Sequence, residues 1–451
     1  MASAVEQLAK NANWGALAKA TELKNRIFFV LGALIVYRLG TYIPVPGIDL
    51  AVWDEIFESK GGGILDMFNM FSGGALSRMT IFALNIMPYI SASIIMQLAT
   101  AMSKNLEELK KEGEVGRMKI NQYTRYLTVL LATVQAYGLA VGLESMQGQG
   151  GSAVINPGLF FRISTVITIV GGTVFLMWLG EQITSRGVGN GISLIIFAGI
   201  VAELPRAIAS TLELTRQGTF SGMELFMLVA MIVSVIALIV FVERAQRRVV
   251  VQYPKRQVGN QMAQGQTNHI PLKLNTSGVI PPIFASSLLL LPLTVVGFIG
   301  AGGSDFWSDV TRYLQHGQPV YMILYGLLIG FFSFFYTAIV FNPEENAETL
   351  RKYGGFVPGI RPGRNTADYL DYVLTRISVV GAIYLIFICL LPEFMISKYN
   401  MPFYFGGTSL LIVVSVTMDT IAQIHSHLIA HQYEGLVKKT KLRGRNSGRR
   451  R

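Results

Sequence analysis

The stretch GGGILDMFNMFSGGALSRMTIFALNIMPYISASIIMQLAT, residues 61–100, places a short apolar segment directly before a long one. Ile64 to Phe71 is broken by Asp66 and Asn69 and hemmed in by glycines. As a helix it would reach about 12 Å, at 1.5 Å per residue, against a bilayer core about 30 Å thick. Thr80 to Thr100 is long enough to cross. The pairing predicts a half-length helix standing in front of a full membrane span.

The rest of the chain supports a membrane reading. Of 451 residues, 51% are hydrophobic and only 14% charged, where a soluble protein carries about 25%. Ten apolar runs have spanning length, at about 27–45, 78–99, 124–143, 158–180, 191–210, 223–242, 274–297, 319–340, 373–391 and 404–424. No signal-peptide layout precedes the first, so it is expected to stay in the mature chain. The single cysteine, Cys389, excludes a disulfide framework.

Lys and Arg orient the spans. Of the 38, 30 fall in residues 1–26, in the loops after spans 2, 4, 6 and 8 with the adjoining starts of spans 3 and 9, and in the segment after span 10. By the positive-inside rule both termini are cytoplasmic, as an even number of spans requires. The short helix then lies on the external side.

The chain also resembles itself. NIMPYISASIIM from Asn85 aligns with GVIPPIFASSLL from Gly278, matching Pro88 with Pro281, Ile90 with Ile283, Ala92 with Ala285 and Ser93 with Ser286. One reading is chance likeness between apolar helices drawn from a small alphabet. The other is an internal repeat, favoured because each segment is the second span of a five-span half; five is odd, so the halves would be inverted. A proline within each span is expected to free a carbonyl and let the helix bend.

Other patterns exclude functions. The ionisable residues Arg125, Arg162, Glu181, Arg376 and Asp419 lie near span ends, which disfavours an ion-coupled carrier while leaving a carrier of neutral solutes open. Arg38, deeper, reads as a snorkelling or paired structural arginine. RGVGNGIS (186–193) has no strand before it and reads as a tight turn with close helix packing, not a phosphate cradle. His425, His427 and His431 read as interfacial helix residues without a metal. No nucleophile–base constellation stands out, so an enzyme is not expected, and neither is a cofactor. A membrane scaffold without transport is the third class left open.

A series of longer motifs carries a resemblance: FNMFSGGALSR (68–78), IFALNIMPYISASIIMQL (81–98), KKEGEVGR (110–117), FLMWLGEQITSRGVGNGIS (175–193), VFVERAQRR (240–248), PLKLNTSGVIPPIFASS (271–287), FYTAIVFNP (335–343), FVPGIRPG (356–363), FICLLPEFM (387–395) and PFYFGGTSLLIVV (402–414). In order, over about residues 20–440, the chain resembles the bacterial SecY family, the channel subunit of the Sec translocon. The resemblance implies an all-α polytopic fold: ten transmembrane helices in two inverted five-helix halves (27–210 and 223–424), with a plug helix at about 61–74. It divides the remainder into a cytoplasmic N-terminus (1–26), an external loop (211–222), cytoplasmic loops (243–273 and 341–372) and a basic cytoplasmic tail (425–451).

The same resemblance implies a channel for unfolded polypeptide in the bacterial inner membrane. Ile86, Ile90, Ile192, Ile196, Ile283 and Ile412 would form its pore ring, and Ile64, Leu65, Met67, Phe68 and Phe71 the plug face against it. A ring of branched apolar side chains blocks ions by dewetting when narrow. Spans 2 and 7 would make a lateral gate, with Pro88 and Pro281 at equivalent places and Ser91, Gln97 and Asn190 supplying hydrogen bonds, against ordinary packing through small polar groups. Arg361, in the FVPGIRPG turn, would contact the SecA motor or the ribosome. After PKRQVG come Asn260 and Gln261 where relatives are often basic, leaving Lys255 and Arg256 as the contacts to ribosomal RNA. The implied partners are SecE and SecG, SecA, the ribosome, signal sequences and nascent polypeptides, SecD/SecF and YidC. The end KKTKLRGRNSGRRR (438–451) is expected to be disordered and drawn to RNA phosphate or anionic lipid, or merely to set topology.

Overall fold

A computed structural model describes residues 21–60, 69, 72–145, 147–148, 151–218, 222–254, 256–258, 261–263, 267–299, 318–399 and 407–447. Helices dominate. In chain order they are α1 (Thr21–Gly40), α2 (Leu50–Lys60), α3 (Met87–Met102), α4 (Lys104–Lys111), α5 (Glu114–Ser145), α6 (Leu159–Arg186), α7 (Gly191–Arg216), α8 (Gly222–Arg244), α9 (Ile280–Ile299), α10 (Pro319–Val340), α11 (Pro343–Lys352), α12 (Arg364–Tyr399) and α13 (Gly407–Ser447). A helix satisfies its own backbone, which is what a hydrocarbon medium requires. Seven apolar stretches among the described residues are long enough to cross a membrane; they lie on α5, α6, α7, α8, α10, α12 and α13. The other three expected spans fall on α1, α3 and α9, of which α3, at 16 residues, is the shortest.

The shortness of α3 has a visible cause. Helix starts only at Met87, and residues 81–86 run in turns that are buried from Phe82 on, with Phe82 and Ile86 at 3% and 1% exposure. Irregular backbone at this depth is tolerated because protein rather than lipid surrounds it. Pro88 then sits in the first turn of α3, and Pro281 likewise opens α9. Both prolines thus start helices instead of bending them: at a first turn the missing N–H would have had no partner anyway. That corrects the expectation of two mid-span kinks and shows why the two matched segments share a proline.

Two bundles are apparent. α3, α5, α6 and α7 pack in sequence, with α1 against α6 and α7; α9, α10, α12 and α13 form the second, with α8 against α13. They meet along two seams, α3 and α5 against α9, and α7 against α13. One large apolar cluster runs through both, from Tyr37 and Ile86 to Ile388 and Leu411. A second gathers Trp53, Ile56, Leu76, Met79 and Leu143 under α2, where Trp53 Nε1 donates to the Leu76 carbonyl at 3.1 Å.

The loop at 243–273 is not helical. β3 (Gln246–Gln252) pairs antiparallel with β6 (Thr267–Lys273), from Gln246 opposite Lys273 to Gln252 opposite Thr267; β4 (Arg256–Val258) and β5 (Gln261–Ala263) pair between them. β1 (Gln147–Gly148) and β2 (Gly151–Ser152) make a further small hairpin. β3 alternates, burying Val249 and Val251 and exposing Arg248 and Val250, the period-2 pattern of a strand with one covered face. Its cover comes from the segment at 341–372 and the start of α12. Gln252 and Phe356 exchange backbone N–H···O bonds of 2.9 Å each, and Val249, Val251 and Leu272 share a core with Val357, Leu370, Val373 and Ile377. The two loops fold as one unit. The tail expected to be disordered continues α13 as helix through Ser447.

Candidate functional site

The six isoleucines arrive from four helices. Ile86 caps α3 and Ile90 follows one turn later; Ile192 and Ile196 are likewise four apart on α7, so each pair shares a helix face. Ile283 lies on α9 and Ile412 on α13. All six belong to the large apolar cluster that runs through both bundles: Ile86, Ile90, Ile196 and Ile412 are buried at 1%, 7%, 5% and 1% exposure, and Ile192 and Ile283 are half-buried against that cluster. Their gathering is a property of the tertiary fold, since they span residues 86 to 412.

Local chemistry fixes α7 under this cluster. Asn190 Oδ1 accepts from the Ile192 N–H at 3.1 Å, an N-cap that satisfies one of the helix's orphan donors. Gly191 N–H donates to Thr184 Oγ1 and Gly189 N–H to Gln423 Oε1 of α13, at 2.9 and 2.8 Å. RGVGNGIS is therefore a tight helix-to-helix turn with close packing, as read from the sequence. Sequence reasoning gave Asn190 to the gate; here its side chain is a cap. Gln97 Nε2 donates to Ser93 Oγ within α3 at 3.3 Å, and Ser91 is buried. Among the described contacts, none of these three side chains bonds across from α3 to α9.

Ile64, Leu65, Met67, Phe68 and Phe71 lie outside the described residues, as do Lys255 and Asn260, and Arg256 is described only by its backbone in β4. The root of the short segment is well defined. Arg38 Nη1 donates to the Gly73 carbonyl at 2.7 Å and Tyr37 Oη to that of Ser72 at 3.3 Å. Asn69 Oδ1 accepts from Ser77 N–H at 2.9 Å, and Ser72 Oγ accepts from Leu76 N–H at 3.2 Å. Arg38 is thus paired, close to the end of α1. These anchors escaped sequence reasoning; the paired polar residues beside glycines were the available signal.

Arg361 is exposed on the 356–363 turn, whose shape is held by Thr366 Oγ1 donating to the Arg361 carbonyl at 2.9 Å.

Helices of spanning length, buried irregular backbone at α3 and two bundles joined along seams define a polytopic membrane protein with the fold of the SecY/Sec61 channels. The solved structures agree: a SecY structure concerned with its plug domain and the closed state of the translocation channel (19% identity, TM-score 0.63, 90% of this chain and 92% of that one), and canine Sec61 in a ribosome–channel complex (18%, 0.60, 90% and 92%). The SecY family profile matches residues 80–421, and the protein translocase subunit SecY of Escherichia coli K12 is 57% identical over 424 residues, 94% of this chain and 96% of that protein. The chain belongs to the SecY family.

Proposed function

We propose that this chain is the channel-forming subunit of a bacterial protein translocase, passing unfolded polypeptides across the inner membrane and releasing apolar segments sideways between α3 and α9. The observation that carries the reading is that Ile86, Ile90, Ile192, Ile196, Ile283 and Ile412, from four helices, share one apolar cluster that runs through both bundles. A seal of branched aliphatic side chains excludes water and ions when closed, and it offers no polar group that would hold a particular passing side chain.

On this reading the ten spans form two inverted halves with both termini cytoplasmic, the segment at 61–74 plugs the external funnel, and no bond chemistry or cofactor is needed. The α3–α9 contact serves as the lateral gate. Energy comes from SecA or from translation. The joined loops bearing Arg361, Lys255 and Arg256 face those partners, a role supported by the ribosome-bound Sec61 relative. SecE and SecG complete the channel, SecD/SecF and YidC act beside it, and the basic tail meets anionic lipid or RNA phosphate.

The test is protease protection of a radiolabelled secretory precursor in proteoliposomes holding this chain with SecE and SecG, supplied with SecA and ATP. ATP-dependent protection that vanishes when the segment at 61–74 is cross-linked in place supports the reading. No protection, from a folded and assembled complex, overturns it.

A further inference from the structure

The junction where the cytoplasmic hairpin becomes α9 is built around one buried amide. Asn275, 3% exposed, donates from Nδ2 to Glu243 Oε1 at 2.6 Å and to the Gly278 carbonyl at 3.1 Å. Its Oδ1 accepts from Ser277 Oγ at 3.0 Å and from Gly278 N–H at 3.1 Å. Both donors and both lone pairs are therefore used. Ser277 Oγ lies 3.4 Å from Ser333 Oγ of α10, and both serines are buried. On the remaining side Gly381 of α12 packs on the Leu274 carbonyl, where an added Cβ would lie at 2.7 Å. Leu274 N–H donates to the Ala245 carbonyl at 2.9 Å, tying the end of the hairpin to its beginning. Lys273, Asp419 and Tyr384 are the ionisable groups within electrostatic reach of Glu243.

Asn275 thus ties the end of α8 to the start of α9, and Ser277 carries the tie on to α10. It sits three residues before Gly278 (φ +64°) and five before Ile280, where α9 begins. A hydrogen bond to a carboxylate is stronger than a neutral one, and a buried polar junction has one well-satisfied arrangement. The junction stands at the root of α9, so a movement of α9 relative to α8 would have to stretch or break these bonds.

We propose that Asn275 is a positioning residue that sets how readily the channel opens: its bond to Glu243 holds α9 in the closed position, so the clasp sets the threshold a signal sequence must overcome. This rests on the channel reading above. Free energy lost from the clasp lowers that threshold for weak signals, while strong signals, which open the channel regardless, gain little.

The test uses the complete complex with two precursors, one with an intact signal sequence and one with a crippled signal. Asn275→Asp removes both donors and sets a second carboxylate against Glu243. It is expected to raise export of the crippled precursor about tenfold, the ratio that one lost hydrogen bond to a charged group implies, and to raise resting ion conductance. Adding Glu243→Gln restores a bond in the opposite sense, the Gln amide donating to the new carboxylate, and should return both readouts toward wild type; a residue that only supports the fold gives no such rescue. Should the Asp variant not accumulate, Glu243→Gln alone, which exchanges the carboxylate acceptor for a neutral amide, carries the same expectation at smaller size, while Ser277→Ala, which leaves the Glu243 bond in place, should raise export of the crippled precursor less than either.

Normal export of the intact precursor with no gain for the crippled one in Asn275→Asp, or in Glu243→Gln alone should the Asp variant not accumulate, overturns the proposal. So does a gain that Glu243→Gln fails to reverse. A wild-type complex that exports neither precursor instead removes the channel reading and this role with it.

Discussion

Gly73 lies against Gly199 of α7 so closely that a Cβ on Gly73 would stand 2.7 Å from the Gly199 Cα. Gly73 also has φ +65°, a left-handed conformation that side-chain-bearing residues adopt only at a cost. Gly73→Ala therefore meets both a backbone clash and strain, about 1–3 kcal/mol for the conformation alone. The variant is expected to lower the thermal midpoint of the purified complex and to raise resting conductance in planar bilayers. Gly171→Ala, in α6 with open space around it, serves as the neutral control; equal behaviour of the two would contradict the close-contact account.

Arg38 holds the same segment through a hydrogen bond. Besides its bond to the Gly73 carbonyl, its Nη2 donates to Tyr42 Oη at 3.2 Å, and the guanidinium carbons of Arg38 and Arg78 stand 5.1 and 4.3 Å from the centre of the Tyr42 ring. Lysine keeps the charge but not the planar fork. Arg38→Lys is expected to recover only part of what Arg38→Ala loses, read as a rise in resting ion flux in both. Full recovery by lysine would show that charge alone suffices.

Within the isoleucine cluster, Ile90→Asn buries an amide without a partner, at a cost of about 1–3 kcal/mol. Single-channel recording should show leak currents, and precursors with weak signals should be exported better. Ile90→Val keeps the surface aliphatic and should leave both near wild type. Unchanged conductance in a normally expressed Ile90→Asn complex would remove Ile90 from the seal.

Arg361→Glu is expected to reduce motor-driven export at least about tenfold, as reversing a charge at a docking surface places like charges together. Thr366→Ala, which only loosens the turn by one hydrogen bond, about 1 kcal/mol, should leave the export rate within about twofold. Comparable losses in both variants would point to loop shape rather than to the guanidinium.

Much of the fold was legible. The run read as 319–340 is α10, Pro319 to Val340, because an uninterrupted apolar stretch between polar flanks has few other solutions in a membrane. α5 and α12 outrun their apolar cores, starting at Glu114 and Arg364, since a helix does not stop at the water surface when its polar turns still favour helix. The starts of α3 and α9 were misplaced because hydropathy does not distinguish buried turns from buried helix. β3 was missed although RRVVV carries β-branched residues at alternating depth; its partner strand is some twenty residues on, and the alternation was outweighed by charge. The isoleucines could not be singled out by type or spacing, since nothing local separates an isoleucine facing lipid from one packed into the tertiary core.

The paired bonds between Gln252 and Phe356 join two loops separated by a hundred residues of chain. A transplant from a relative is therefore indivisible: exchanging 243–273 alone sets a foreign Val249–Val251 face on the resident Val357–Leu370 core, whereas moving 341–372 with it carries the complementary halves together. If these loops dock a motor or ribosome as proposed, compatibility with that of another species is expected to be inherited as one block, and substitutions tolerated in one loop are expected to depend on the residues present in the other.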